Sequence, residues 1–285
     1  MTELDARATD DGDLGPGGEH GQRRAQELPG AEDKVASALD RIVEEGSPRL
    51  HRSWADLLAT ATVAGLEVSI GVLALLVVKH ETGSPLLAGL AFSFGFVALL
   101  LGHSELFTEG FLVPITVVAA KAARVRDLVR FWLGSLVGNL IGAWVMMWVV
   151  VQAFPDLRET AVSSATTFVD HGTTLRAFCL AVLGGAAITM MTRMQNGTDS
   201  VPAKVMVSIG AAFVLAGLQL SHSVLESILM FAALHTGHAP FGYLDWLGWL
   251  GWALLGNAVG GIGLVTVLRL VRSRELLAEH REARS

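Results

Sequence analysis

Residues 99–111 read LLLGHSELFTEGF, and residues 215–226 read LAGLQLSHSVLE. Each lies inside an apolar stretch too long for one straight helix across a bilayer, since about 30 Å of hydrocarbon takes roughly twenty residues. Each is interrupted by Gly and short polar side chains, at Gly102-His103-Ser104-Glu105 in one and at Ser221-His222-Ser223 in the other. Backbone that leaves helical geometry at membrane depth must be buried in protein or line a wet cavity, because an unsatisfied amide facing lipid costs several kcal/mol. The two interruptions are therefore expected to face each other. Each restarts a helix, and a helix N-terminus carries roughly +0.5 of a charge with free N–H groups, a setting that favours an anion without a fixed Lys or Arg.

Outward from these stretches, apolar runs near residues 55–78, 84–122, 128–152, 173–194, 202–236 and 244–270 alternate with short charged loops and predict six spans. The interrupted runs are the second and the fifth, corresponding places in two three-helix halves. Broken helices at matched positions are the mark of inverted repeats, whose solute site lies near the midplane where the repeats meet. A second echo agrees: Gly138-Asn139 with Gly142 in the third run is mirrored by Gly256-Asn257 with Gly260 in the sixth. Small residues there let helices approach closely, with Asn bonding across the contact. The expected class is an all-α polytopic membrane protein, six transmembrane helices in two inverted repeats with helices 2 and 5 broken.

Composition fits a chain whose solvent is mostly lipid. Of 285 residues 52% are hydrophobic and 17% charged, with mean hydropathy +0.50. Residues 1–54 hold twelve Asp or Glu and seven Lys or Arg, so this tail alone carries −5 of the net −6. The acidic pI thus reports the tail, and no basic stripe points to nucleic acid. The lone Cys179 sits in an apolar run as packing, leaving no disulfide and no Cys cluster for a metal.

Residues 1–30 are too polar and Gly-rich to bury a core and are expected to be disordered. In residues 31–48 an apolar stripe of Val35, Leu39, Ile42 and Val43 predicts a short amphipathic helix stopped by Gly46 and Pro48, docked under the spans or lying on lipid. The domain reading is an acidic tail over 1–50, a pore domain over 51–272 and a short C-terminal tail over 273–285. Lys121, Arg124, Arg126 and Arg130, then Arg193 and Lys204, then Arg269, Arg272 and Arg274 mark one side of the membrane. The loop after span five carries no Lys or Arg and the loop after span one only Lys79, so both termini are expected in the cytoplasm of a cell whose inner membrane the chain crosses.

The run Gly102-His103-Ser104-Glu105-Leu106-Phe107-Thr108 resembles the loop motif ending in Leu-Phe-Thr of the formate/nitrite transporter family, and His222-Ser223 after Gly217 resembles that family's broken fifth helix. The paired Gly-Asn sites agree, and the resemblance covers about residues 50–270. It implies an aquaporin-like protomer in a homopentamer embedded in the lipid bilayer, each subunit with its own pore for formate, nitrite, hydrosulfide or lactate. It places Thr108 and His222 at the pore centre, with Phe92, Phe96 and Leu215 as constrictions around the histidine. Departures from the family pattern are Glu226 in place of an Asn, Glu109-Gly110 after the Thr, and Val169-Asp170-His171 where a Lys usually precedes the fourth span.

Glu226, four residues after His222, shares its helix face and is expected either to pair with the imidazole or to turn to a neighbouring helix. Glu105 is expected to satisfy loop amides, and Glu67 to line a vestibule or make a protomer contact. With Glu109 and Glu226 present, passage of a weak base such as ammonium is the alternative to a monovalent anion, and a non-conducting scaffold or sensor is a further one. His222 and Glu226 lack the third ligand a catalytic zinc requires, and no His-Glu-x-x-His, Gly-x-Ser-x-Gly or phosphate-binding glycine loop is present, so neither catalysis nor a cofactor is expected.

Overall fold

The structure is a computed structural model that describes residues 31–282. The predicted disorder of residues 1–30 and the last residues of the C-terminal tail lie outside it. Every regular element among the described residues is helical. In chain order these are α1 (Ala31–Leu50), α2 (Trp54–Thr82), α3 (Pro85–Gly102), a 3-10 turn (Phe107–Phe111), α4 (Val113–Ala119), α5 (Val125–Ala153), a second 3-10 turn (Pro155–Leu157), α6 (Arg158–Asp170) and α7 (Leu175–Gln195). They continue with α8 (Val201–Ala212) running into a π-helical turn (Phe213–Gly217), α9 (Ser223–His235), α10 (Tyr243–Ala258) running into a π-helical stretch (Val259–Val267), α11 (Leu268–Arg272) and α12 (Arg274–Glu282).

Among the described residues five helical stretches are long and apolar enough to cross a membrane: α2, α3, α5, α7 and the continuous Tyr243–Arg272. The pieces Phe107–Ala119, Val201–Gly217 and Ser223–His235 are apolar but shorter. Large apolar side chains face outward, Leu244 at 84% exposure and Phe94 at 58%, a surface that only an apolar solvent or a partner satisfies. Cys179 belongs to this outer face and is exposed, where the sequence reading had it packed.

The two halves pack by the same device. Helix α2 lies along α5, and α7 along the stretch that follows α10. A Cβ at Gly65 would overlap the Asn139 carbonyl, and one at Gly185 would overlap the Asn257 carbonyl. Only glycine lets the backbones come that close.

Helix α1 docks against the bundle. Leu39, Ile42, Val43 and Leu50 are buried, Arg41 pairs with Asp199 at 2.9 Å, and Arg130 donates to the Leu50 carbonyl at 2.6 Å. The expected stop at Gly46 and Pro48 is wrong, because the helix continues to Leu50 with Pro48 inside its last turn. Gly46 serves contact instead: a Cβ there would sit 2.6 Å from Val113 Cγ1 and 2.7 Å from Val117 Cγ2. The sequence reading also left α6 as loop, since its Ser- and Thr-rich run has no long apolar stretch. In the structure Ala161, Ala165 and Phe168 bury one face of it.

Candidate functional site

The apolar run of α3 ends at Gly102, and that of α8 ends in its π-helical turn at Gly217. Both ends leave the helix in the same way. Ser104 N–H reaches back to the Leu99 carbonyl at 3.3 Å, and Leu220 N–H to that of Leu215 at 2.9 Å. The residue just before each, His103 at φ 53° and Gln219 at φ 52°, is left-handed, which non-glycine residues seldom adopt. These pairs keep one spacing of 116 residues along the chain.

The helix restarts are held by two buried asparagines. Asn139 Oδ1 accepts Phe107 N–H at 2.9 Å, while its Nδ2 donates to the carbonyls of Glu105 at 2.9 Å and Ala61 at 2.8 Å. Asn257 repeats the set on Ser223 N–H at 2.8 Å, the Ser221 carbonyl at 2.9 Å and the Ala181 carbonyl at 2.8 Å. Both asparagines are fully buried, so each satisfies three backbone groups that have no water to turn to. Gly138 and Gly256, beside them, face the Cβ atoms of Ala61 and Ala181. Sequence reasoning gave the asparagines a role between helices; the structure adds the fastening of both breaks.

Glu105 points out of the first break, away from its amides. Its carboxylate, 2% exposed, takes Arg49 Nε at 2.8 Å, Arg49 Nη2 at 2.5 Å and Arg52 Nη1 at 2.6 Å. Burial works against the Arg49 charge, but the ion pair with Glu105 outweighs it and holds the guanidinium pKa above its ordinary value. Sequence reasoning missed this clamp, although Arg49 and Arg52 both lie just before the first span.

The two restarts bring Thr108 and His222 together. Thr108 Oγ1 and His222 Nε2 lie 2.7 Å apart, with both residues at or below 1% exposure. His222 is also the N-cap of α9, and its Nδ1 accepts Leu225 N–H at 3.1 Å. An Nδ1 used as acceptor puts the neutral ring's proton on Nε2, which therefore donates to Thr108. Glu226 does not pair with the imidazole. Its Oε2 accepts the backbone N–H of His222 at 2.6 Å, because the first turn of α9 offers a free amide there.

Two cavities flank this contact. A roomier near vestibule on the α1 side is lined by Arg49, Glu105, Glu109, Lys204 and Leu99 among others. A narrow far vestibule is lined by Lys79, Ala88, Ser164, Gln219 and Glu226 among others. Along one face of α3, Ala88 meets the far vestibule and Leu99 the near one, with Phe92 and Phe96 between them, 0% and 1% exposed and packed edge-to-face at 5.0 Å. Leu215, also fully buried, precedes Ala216 of the far vestibule. Leu106 and Phe107 are buried beneath the first restart, where Phe107 stacks edge-to-face on Phe111.

Lys79 is not a loop residue, as the sequence reading had it. It sits in the last turn of α2 with Nζ donating to Ser164 at 2.9 Å. Glu67 lies against Gly102, and its Oε2 is buried without a partner among the described residues.

The family model described as formate/nitrite transporter matches residues 36–271. The inner membrane protein YfdC of Escherichia coli (strain K12) is 25% identical over 274 residues, covering 92% of this chain and 87% of that one. The formate channel FocA of the same strain is 24% identical over 257 residues, covering 83% and 85%. Among solved structures, an FNT family ion channel superposes with a TM-score of 0.75 at 17% identity, covering 82% of this chain and 98% of that one. A pentameric formate channel with formate bound gives 0.63 at 22% identity, covering 76% and 96%. The structural likenesses establish a shared all-helical fold, and the profile match over most of the sequence establishes descent: the chain belongs to the formate/nitrite transporter family.

Proposed function

We propose that this chain passes small monovalent anions, or their conjugate acids, through a pore in each protomer. The observation that carries the reading is the buried Thr108–His222 contact, flanked by two vestibules that each hold charged side chains, with the apolar Phe92, Phe96 and Leu215 buried between them. An anion meets donors at the vestibules, while Phe92, Phe96 and Leu215 exclude a hydrated ion. At the centre His222 Nε2–H and the Thr108 hydroxyl supply the polar surface on which a dehydrated solute rests.

In this reading the breaks at 103–106 and 218–222 divide the second and fifth of six spans, and the two halves are inverted repeats. The matched asparagine sets support that reading. Residues 51–272 form the pore domain, with the segments before and after it cytoplasmic, as the basic loops require. The pentameric formate channel that shares this fold supports a homopentamer, and the inner membrane relative YfdC supports an inner membrane.

Stopped-flow uptake of formate and nitrite into proteoliposomes tests the function. Intact protein is expected to pass both. His222→Asn is expected to cut flux by about tenfold to a hundredfold, and Phe92→Ala to leak larger anions. Unchanged selectivity in both variants would sink the assignment. Because Glu109 and Glu226 line the two vestibules, ammonium uptake into the same vesicles is the competing outcome.

A further inference from the structure

We propose that Arg193 and Arg269 bind the phosphate of an anionic phospholipid in the groove between the last turns of α7 and α11. The site lies outside the pore and goes beyond the transport reading.

The packing of the two helices sets their register. A Cβ at Gly256 would overlap Ala181, one at Gly260 the Val182 carbonyl, and one at Gly261 the Thr189 hydroxyl. The partners rise together along both chains, so the helices run side by side in one direction. Continued past these contacts, that register brings Arg193, one turn beyond Thr189, up to Arg269, two turns beyond Gly261. The two charges lie close enough to act on each other.

Two features of this meeting call for an anion. Arg269 is half-buried, and its Nη1 is shut off from solvent with no hydrogen-bond partner. A buried charged donor without an acceptor is costly. The charged side chain that acts on Arg269 is Arg193, another cation, and neither guanidinium pairs with a carboxylate among the described residues. Helix C-termini and the positive side of a membrane both favour arginines at these turns. Neither accounts for setting one cation against another with a donor turned from water. A phosphate answers both needs, because its oxygens accept from two forked guanidiniums at once.

Depth and surroundings select a lipid over a dissolved ion. Tyr243 and Trp144, bonded to each other at 2.9 Å, mark one membrane interface where α10 begins. Arg269 lies 26 residues further along the same continuous stretch, roughly 35–40 Å at the rise of a helix, which crosses about 30 Å of hydrocarbon and reaches the headgroups of the opposite leaflet. Beside and below the two arginines the surface is apolar and exposed, at Met190 and Met194 of α7 and at Leu264 and Leu268 of the facing stretch. Acyl chains of one lipid cover these side chains while its phosphate bridges the guanidiniums.

The test is native mass spectrometry of the full chain, purified in detergent and stripped of lipid, with dimyristoylphosphatidylglycerol, dimyristoylphosphatidylcholine or inorganic phosphate added. The anionic lipid is expected to bind about tenfold more tightly than the zwitterionic one. Arg193→Gln and Arg269→Gln are each expected to weaken it by about tenfold, whereas Arg126→Gln, at an exposed arginine on the same side of the membrane, is expected to leave it unchanged. Arg193 is exposed, so its variant reads the site even where Arg269→Gln fails to fold, and a melt matching the intact protein checks each. Equal weakening by all three variants means diffuse surface attraction and overturns the site, as does anionic lipid held no tighter than zwitterionic lipid. Inorganic phosphate bound as tightly as the lipid overturns the lipid assignment. An Arg269→Gln variant that loses its oligomer but keeps the lipid also overturns it, because the guanidinium then serves a neighbouring subunit. None of these readouts uses solute flux, so a failure of the proposed function is seen separately.

Discussion

The two breaks share a backbone frame and differ in what they mount on it. Left-handed residues, backward-reaching amides and buried asparagines recur at His103 and Gln219, at Ser104 and Leu220, and at Asn139 and Asn257. The side chains diverge. The first break sends its carboxylate, Glu105, outward to two arginines that precede the first span. The second turns its carboxylate, Glu226, back on its own first turn, and supplies the imidazole. A frame repeated under different side chains indicates that fastening a break is a general problem with one solution here, whereas the chemistry at the centre is local to each half.

The comparison breaks most visibly at the asparagines. Asn139→Leu and Asn257→Leu each strand one buried amide and two buried carbonyls at about 1–3 kcal/mol per group, so loss of folded protein is expected for both, read by recovery and thermal unfolding in detergent. Tolerance of one and not the other would refute an equivalent frame. Next comes Glu105→Gln, which has no counterpart in the second half. It leaves Arg49 and Arg52 without their carboxylate, at roughly 1–3 kcal/mol because their side chains keep 22% and 31% exposure, and is expected to free α1 to proteolysis while the second break stays intact. The smallest effect is expected from the indoles. Trp132→Phe removes a 3.0 Å bond to the Gly110 carbonyl, and Trp246→Phe one to Ser227 Oγ, each costing about 1 kcal/mol and seen as a shift of a few degrees in the melt.

Much of this was legible in the sequence because apolar runs and glycines report local needs. The interruptions at Gly102 and Ser221, the Gly-Asn echo and the apolar stripe of α1 all follow from what backbone in lipid requires. Long-range partners were not legible. Nothing near Glu105 in the chain names Arg49, since the pair is made only when α1 folds under the bundle. Glu226 looked matched to His222 by helical spacing, but i and i+4 place it equally well against the free amide of the turn, and the amide wins. Lys79 read as a loop charge because hydropathy falls at residue 79, although its helix runs on to Thr82. The short helix α6 lacked any apolar stretch to announce it.

Every group fastened by Asn139 lies between residues 61 and 107, and every group fastened by Asn257 between 181 and 223. Each clamp is closed by its own half, and the turn at Gly172 between α6 and α7 belongs to neither. The gene could therefore be cut at that codon. Its two products, made together in one cell, should each complete their own break and rejoin into a working whole, which is how a protein descended from a duplicated ancestor would behave.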